Sequence, residues 1–406
     1  MVQQQYRAPT ADEVDAGAQK HNLRLVGYHD LNGRGDGFRI DKQGDFLFVA
    51  HLNRMAFSVL NVANPARPEL VHDEPLPPNT HSHKVQIAGD VLIINNEKIG
   101  RGDDFDPGIR LFDISNPASP RQVGFFRTGG RGVHRFWFAD GQYAYLPTWM
   151  DGYTGRILQI VDVADPTSPH EVGRWWIPGT WAAGGEQLTA PEGDEWMVHG
   201  PVVDGDRAYV GLWDAGWAIL DISDKSQPRT ISQLNWRPPY AGFTHTALPL
   251  RRRNLVVVTD EATSHQHSGG KLIWMIDARD EAHPVPIATF PVPEGDFAAS
   301  GETFGPHNIH ENRAGAWQDD TLIYATYWSA GLRIFDTTNP YQPREIAYYV
   351  PPTPPQQPGG EPHAAIQIND VFVDASGLIY CTDRFNGGLY ILEFTGERPP
   401  AAPPLE

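Results

Sequence analysis

The chain has 406 residues, 40% of them hydrophobic and 11% aromatic, so it can bury a large core and reads as a folded protein. A formal charge of −18 works against nucleic acid or an anionic membrane as partner, since both need cationic surface, and Cys381 alone can form no internal disulfide. No basic segment followed by an apolar stretch opens the chain and no run is long enough to span a bilayer, so the expected location is the cytoplasm.

Residues 1–22 are polar and read as an extended N-terminal extension. Beyond them a phrase recurs: FSVLNVANP around Asn61, GIRLFDISNPASPRQVGFF around Asp113, LQIVDVADPTSPHEVGRW around Asp162 and WAILDISDKSQP around Asp221. It returns as LIWMIDARDEAHP around Asp277, as GLRIFDTTNPYQP around Asp336 and, as a half copy, as GLYILEF around Glu393. Successive markers stand 49 to 59 residues apart, which is the period of a repeated supersecondary unit. Ahead of each marker lie two alternating runs, and the Asp140-Gly141 and Asp204-Gly205 pairs between such runs are hairpin signals. After each marker, an Asn or Asp side chain that can bond the backbone two residues on, with Pro or another turn residue nearby, sends the third strand into a fourth.

Helical periodicity is nearly absent, so the predicted fold is all-β: a seven-bladed β-propeller of four-stranded blades. The segment LRLVGYHDL, residues 23–31, looks like the outer strands that follow the markers. It is expected to complete the last blade and close the ring, leaving no open edge. The propeller is then one domain, residues 23–396, with a Pro-rich tail at 397–406. On the phrase LQIVDVADP and its copies, the chain resembles the LVIVD-repeat family of bacterial β-propellers, over nearly all of residues 23–394. The resemblance implies the fold; it implies little about activity.

Measured back from the markers, six units carry a histidine 22 to 32 residues ahead: His83, His134, His199, His245, His307 and His363. That places them at the start of the inner strand, where equivalent positions of a propeller point at one axis. Converging imidazoles suit a divalent transition metal such as Zn, Mn or Fe, with His134, His199, His245, His307 and His363 as the expected ligands. Filling of the channel by structural histidines is the competing reading.

The loops between second and third strands belong at the same mouth. They supply Glu97, Asp151, Asp214, Asp260, Glu261 and Asp383, of which Glu97, Asp151, Asp260 and Asp383, with His83 and His310, are candidates for proton transfer. They also supply Trp149, Trp213, Tyr327, Trp328 and Arg384 as candidates for contact with an aromatic or anionic small-molecule substrate. The expected function is a metal-dependent enzyme, with lyase or hydrolase chemistry favoured over a metal-dependent oxygenase and over a non-catalytic ligand- or protein-binding scaffold. In architecture this is similar to the carotenoid-cleaving oxygenases and oligogalacturonate lyases, though no motif of either occurs. P-loop, GxGxxG, GxSxG and HExxH patterns are missing as well.

Overall fold

Each marker residue folds as its chemistry dictates. The Asn61 side-chain oxygen accepts the N–H of Ala63, and those of Asp113, Asp162, Asp221, Asp277 and Asp336 accept from Ser115, Ala164, Ser223, Arg279 and Thr338, all at 2.8–3.0 Å. Six copies of one side-chain-to-backbone bond thus turn six strands outward in the same way. The computed structural model describes residues 6–52, 55–264, 269–356 and 361–402, and within them the chain is almost entirely β.

The units are antiparallel meanders. In the first, Ile40–Gln43, Phe46–Ala50, Met55–Asn61 and Glu69–Pro75 pair in chain order. In the last, Ile368–Val373, Leu378–Asp383 and Leu389–Phe394 pair in order, and the fourth strand is Leu23–His29, antiparallel to Leu389–Phe394. The marker strands are buried on both faces, as Gly108–Asp113 and Trp217–Asp221 show, so neighbouring sheets pack face to face around shared apolar clusters. Between units the backbones come very close. A Cβ on Gly27, Gly124 or Gly173, all in outer strands, would overlap the carbonyl oxygen of Pro65, Pro166 or Lys225 in the turn of the following unit. Only glycine leaves room for that approach.

Two expectations need correction. The inner strand of the third unit is reduced to the isolated bridges Val133–Thr148 and Trp137–Tyr145. His134 N–H donates to the Pro147 carbonyl at 2.9 Å, and proline has no N–H to return the bond. The N-terminal extension is not extended throughout: Ala11–Gly17 is a helix, started by a reciprocal Thr10–Glu13 capping box, and its Val14 is buried in an apolar cluster with Tyr349. Gln19–His21 then pairs with the outer strand Arg344–Val350. Among the described residues no helix is long and apolar enough to cross a membrane.

Candidate functional site

The inner segments place one side chain each around a common axis. Ring centroids of Phe38 and His83 lie 5.2 Å apart, and His83–His134, His134–His199, His199–His245 and His245–His307 follow at 4.7, 4.8, 4.3 and 4.5 Å. His307 Nδ1 donates to the Asn369 carbonyl at 2.8 Å, and the Asn369 amide donates to the Phe38 carbonyl at 2.6 Å, so the contacts return to their start. His81 joins from the side, 4.8 Å from His83. Phe38 and the six histidines line a cavity of about 530 Å³, with Trp213, Phe243, Glu261 and Arg384 on its walls.

Hydrogen bonding fixes the tautomers. His134 Nδ1 lies 2.7 Å from a Glu97 oxygen, and His199 Nδ1 lies 3.2 Å from the His245 carbonyl oxygen. Carboxylates and carbonyls only accept, so both Nδ1 atoms carry the hydrogen and both Nε2 atoms present lone pairs. Those two Nε2 atoms are 3.1 Å apart. Burial holds the His134 imidazole down to about 4, with Glu97 opposing the shift, and holds His199 well below the usual histidine range, so a proton between them is disfavoured. His83, His245 and His307 are lowered too, chiefly by burial. The ring is a set of neutral nitrogen donors.

Two carboxylates serve it. Glu261 stands 3.5 Å from His307 Nε2, 3.8 Å from His199 Nε2 and 3.9 Å from His245 Nε2. Burial pushes it up to about 7, against the pull of Arg384, Lys271, Arg156 and Arg135. Ligand atoms around a tetrahedral ion with bonds of about 2.0–2.1 Å stand roughly 3.3–3.4 Å apart, so separations of 3.1 to 3.9 Å fit a metal-sized space. His199, His245 and Glu261 form one group whose ligand atoms lie within 4.8 Å of each other, and His81, His83 and Glu97 form a second. Glu97 is the hub of the second: besides His134 it accepts from His81 Nε2 at 2.9 Å and from Trp149 Nε1 at 3.4 Å. Burial alone would raise it, but the imidazole N–H groups around it prevail and hold it well below the usual range.

The floor is ionic. Glu311 accepts from Arg39 Nη2 and Arg135 Nη2 at 2.6 Å each and from Lys84 Nζ at 3.3 Å, all of them buried. Arg39, Lys84 and Arg135 each follow a ring position by one residue, so their side chains lie one step deeper along the axis.

Several residues singled out from sequence stand elsewhere. His363 stacks on Phe385 at 3.9 Å and meets Glu302 at 3.2 Å; the ring position of its unit belongs to Asn369, bulged between Ile368 and Asp370 as His245 is between Thr244 and Thr246. Asp260 is turned away, accepting from Trp236, Trp274 and Thr244. Asp383 is consumed by four backbone N–H groups, three of its own loop and that of Gln367. His310 donates to the Trp317 carbonyl and accepts from Val373 N–H on the outer side of its strand. Asp151 is an exposed turn residue, and Tyr327 is sealed in an apolar cluster. The histidines of the HQH run at 265–267, a candidate peripheral contact by sequence, lie outside the described residues. By contrast His83, His134, His199, His245, His307, Glu97, Trp149, Trp213, Trp328 and Arg384 do come together. Trp213 and Trp328 hold left-handed backbone, φ 57° and 43°, and set their indoles 4.9 Å from His199 and 4.2 Å from His307.

The antiparallel sheets and the axial site define an all-β repeat protein of propeller type. Solved structures agree on the fold. The chain is similar to the Pseudomonas aeruginosa periplasmic gluconolactonase PpgL (13% identity, TM-score 0.57, 91% of this chain and 94% of that one). It is likewise similar to the N-terminal domain of Nup159 (13% identity, TM-score 0.55, 95% and 98%). A model of the LVIVD repeat matches residues 104–128, 139–176 and 199–235, so the chain carries LVIVD repeats in that stretch. No curated protein matches the chain.

Proposed function

We propose that the chain is a metal-dependent enzyme of lyase or hydrolase type, acting on a small organic substrate at the mouth of a seven-bladed propeller. The blade count is supported by seven marker strands. Ring closure is supported by the pairing of Leu23–His29 with Leu389–Phe394. Residues 23–396 are then the propeller, 1–22 an extension packed on it and 397–406 a tail.

One observation carries the reading: the Nε2 lone pairs of His134 and His199, 3.1 Å apart and denied hydrogens by their own Nδ1 bonds, call for a cation that burial does not let a proton supply. His134, His199, His245, His307 and Glu261 are the donors that would hold it, and neutral imidazoles with carboxylate suit Zn, Mn or Fe. A divalent ion there supplies Lewis acidity toward a substrate oxygen or water. The chain's own groups do the rest. Glu97 and the His245 carbonyl keep Nδ1 protonated on His134 and His199, and so keep each Nε2 turned to the cavity. His83 is neutral, and the Asn95 amide donates to its Nδ1 at 3.3 Å, so its buried Nε2 carries the hydrogen and is the group placed to give a proton. Phe38, Trp213 and Phe243 give the mouth apolar wall.

Metal analysis of purified, metal-loaded protein tests this. Wild type should retain about one equivalent of a transition metal, and His199→Ala and His307→Ala less than about 0.3, with His72→Ala and His363→Ala unchanged. Equal content in all five proteins would refute the axial assignment.

A further inference from the structure

Resting on that reading of the site, we infer that its substrate is a small carboxylic acid whose carboxylate is held by Arg384. The residue follows the strand Leu378–Asp383, and its backbone N–H is tied to the Gln367 carbonyl at 3.0 Å. Its guanidinium carbon lies 4.9 Å from the Phe38 ring centre, 5.0 Å from Trp328 and 5.8 Å from Phe385. Three aromatic faces therefore fix the side chain while taking none of its hydrogens. Among the described residues no carboxylate approaches within 4.0 Å of it, and its Nε is buried without a partner. The neighbouring Asp383 cannot answer it, because that carboxylate is already spent on the N–H groups of Gln367, Phe385, Asn386 and Gly387.

A guanidinium cannot discharge itself by losing a proton, so a partly desolvated fork with five free donors has its natural complement in an anion. The cavity identifies which anion. Arg384 lines the same space as His83, His307 and Glu261, and its charge acts on all three, so an anion on it lies beside the ring of imidazoles. Arg39 and Arg135 also line the cavity but are held by Glu311, so among the described residues Arg384 presents the fork without a carboxylate partner, and one planar fork matches a carboxylate edge. A phosphate site needs further donors, such as successive backbone N–H groups at a helix start, and the one α-helix among the described residues is Ala11–Gly17, in the N-terminal extension. Phe38, Leu52, Trp213 and Phe243 leave apolar wall for the body of the acid.

The test titrates metal-free, full-length protein with benzoate, benzamide and phenyl phosphate, read by quenching of tryptophan fluorescence, since Trp213 and Trp328 adjoin the site. Benzoate should bind saturably, and benzamide at least about tenfold more weakly. Arg384→Gln should lose at least about tenfold in benzoate affinity, and Arg384→Lys should not restore it, because an ammonium lacks the fork. His72→Ala, in the outer strand Glu69–Pro75, should bind benzoate as wild type does. Benzamide as tight as benzoate, phenyl phosphate preferred to it, no saturable benzoate binding up to about 10 mM, or an unchanged Arg384→Gln would each overturn the carboxylate assignment. A metal content unaffected by His199→Ala would overturn the metal assignment alone, so the two failures are separable.

Discussion

Glu311 is the perturbation that most directly probes the channel. Its carboxylate is buried at 8% exposure and neutralises three buried cations: Arg39, Arg135 and Lys84. Asp370 offers a second acceptor to Arg39, 2.8 Å from Nη1, but none of the other described carboxylates contacts Arg135 or Lys84. Glu311→Gln keeps the volume and removes the charge, leaving Arg135 uncompensated in a dry interior, while Lys84, which burial and Arg39 already hold well below the usual lysine range, can give up its proton. Breaking one side of a buried pair costs about 3–5 kcal/mol. With an unfolding entropy of roughly 0.8 kcal/mol/K for a chain of this size, that is a fall in Tm of about 4–6 °C. The effect should also depend on pH. The cations hold Glu311 well below the ordinary carboxylate range, against the opposing effect of burial. Its stabilisation is therefore fully present above the unfolded value, about 4.3, and is lost as pH falls through the lower folded value. The gap between wild type and variant, followed by urea or thermal unfolding, should be widest above about pH 5 and narrow in acid. A loss under about 0.5 kcal/mol at neutral pH would mean that the cations are solvated and that the floor is not the sealed layer described.

Other outcomes follow from the same contacts. Glu97→Gln should weaken metal affinity about 10–100-fold in a competition assay with a chelating dye, by loosening His134, while leaving the fold intact. Asp260→Asn should leave metal content unchanged, because its oxygens serve two indoles and a threonine outside the cavity. Gly124→Ala should destabilise by about 1–3 kcal/mol in denaturant unfolding, since its Cβ would overlap the Pro166 carbonyl, whereas Gly269→Ala, with open space around it, should cost well under that.

Repetition made much of this visible in the sequence. Six side-chain-capped turns follow from six Asn or Asp markers, and five ring histidines were found by measuring back from them. What repetition could not show were positions where the residue type changes: Phe38 and Asn369 complete the circle without being histidines, and spacing alone pointed to His363 instead of Asn369. Alternation explains two further misses. In an extended segment neighbouring side chains face opposite ways, so of Asp260 and Glu261 only the second reaches the axis, and of His310 and Glu311 again only the second. Loop composition brought both acids of the first pair into view; the strand register that separates them depends on pairing Thr244 with Asp260, which a linear reading does not contain. The buried cations Arg39, Lys84 and Arg135 were hidden because charged residues read as surface until their common counter-ion is known.

The pairing of Leu23–His29 with Leu389–Phe394 has a consequence for how the protein is made. Arg24 and Glu393, ion-paired across that ladder, are 369 residues apart in sequence. During synthesis Leu23–His29 must wait, edge unsatisfied, until Leu389–Phe394 has emerged. Contacts of such long range are the slow ones in folding, and exposed strand edges are where chains mispair. The capped helix Ala11–Gly17 and the strand Gln19–His21, which dock beside Arg344–Val350, lie immediately before that strand and hold it in place once the penultimate sheet exists. Deleting residues 6–21 should therefore slow refolding more than it lowers equilibrium stability.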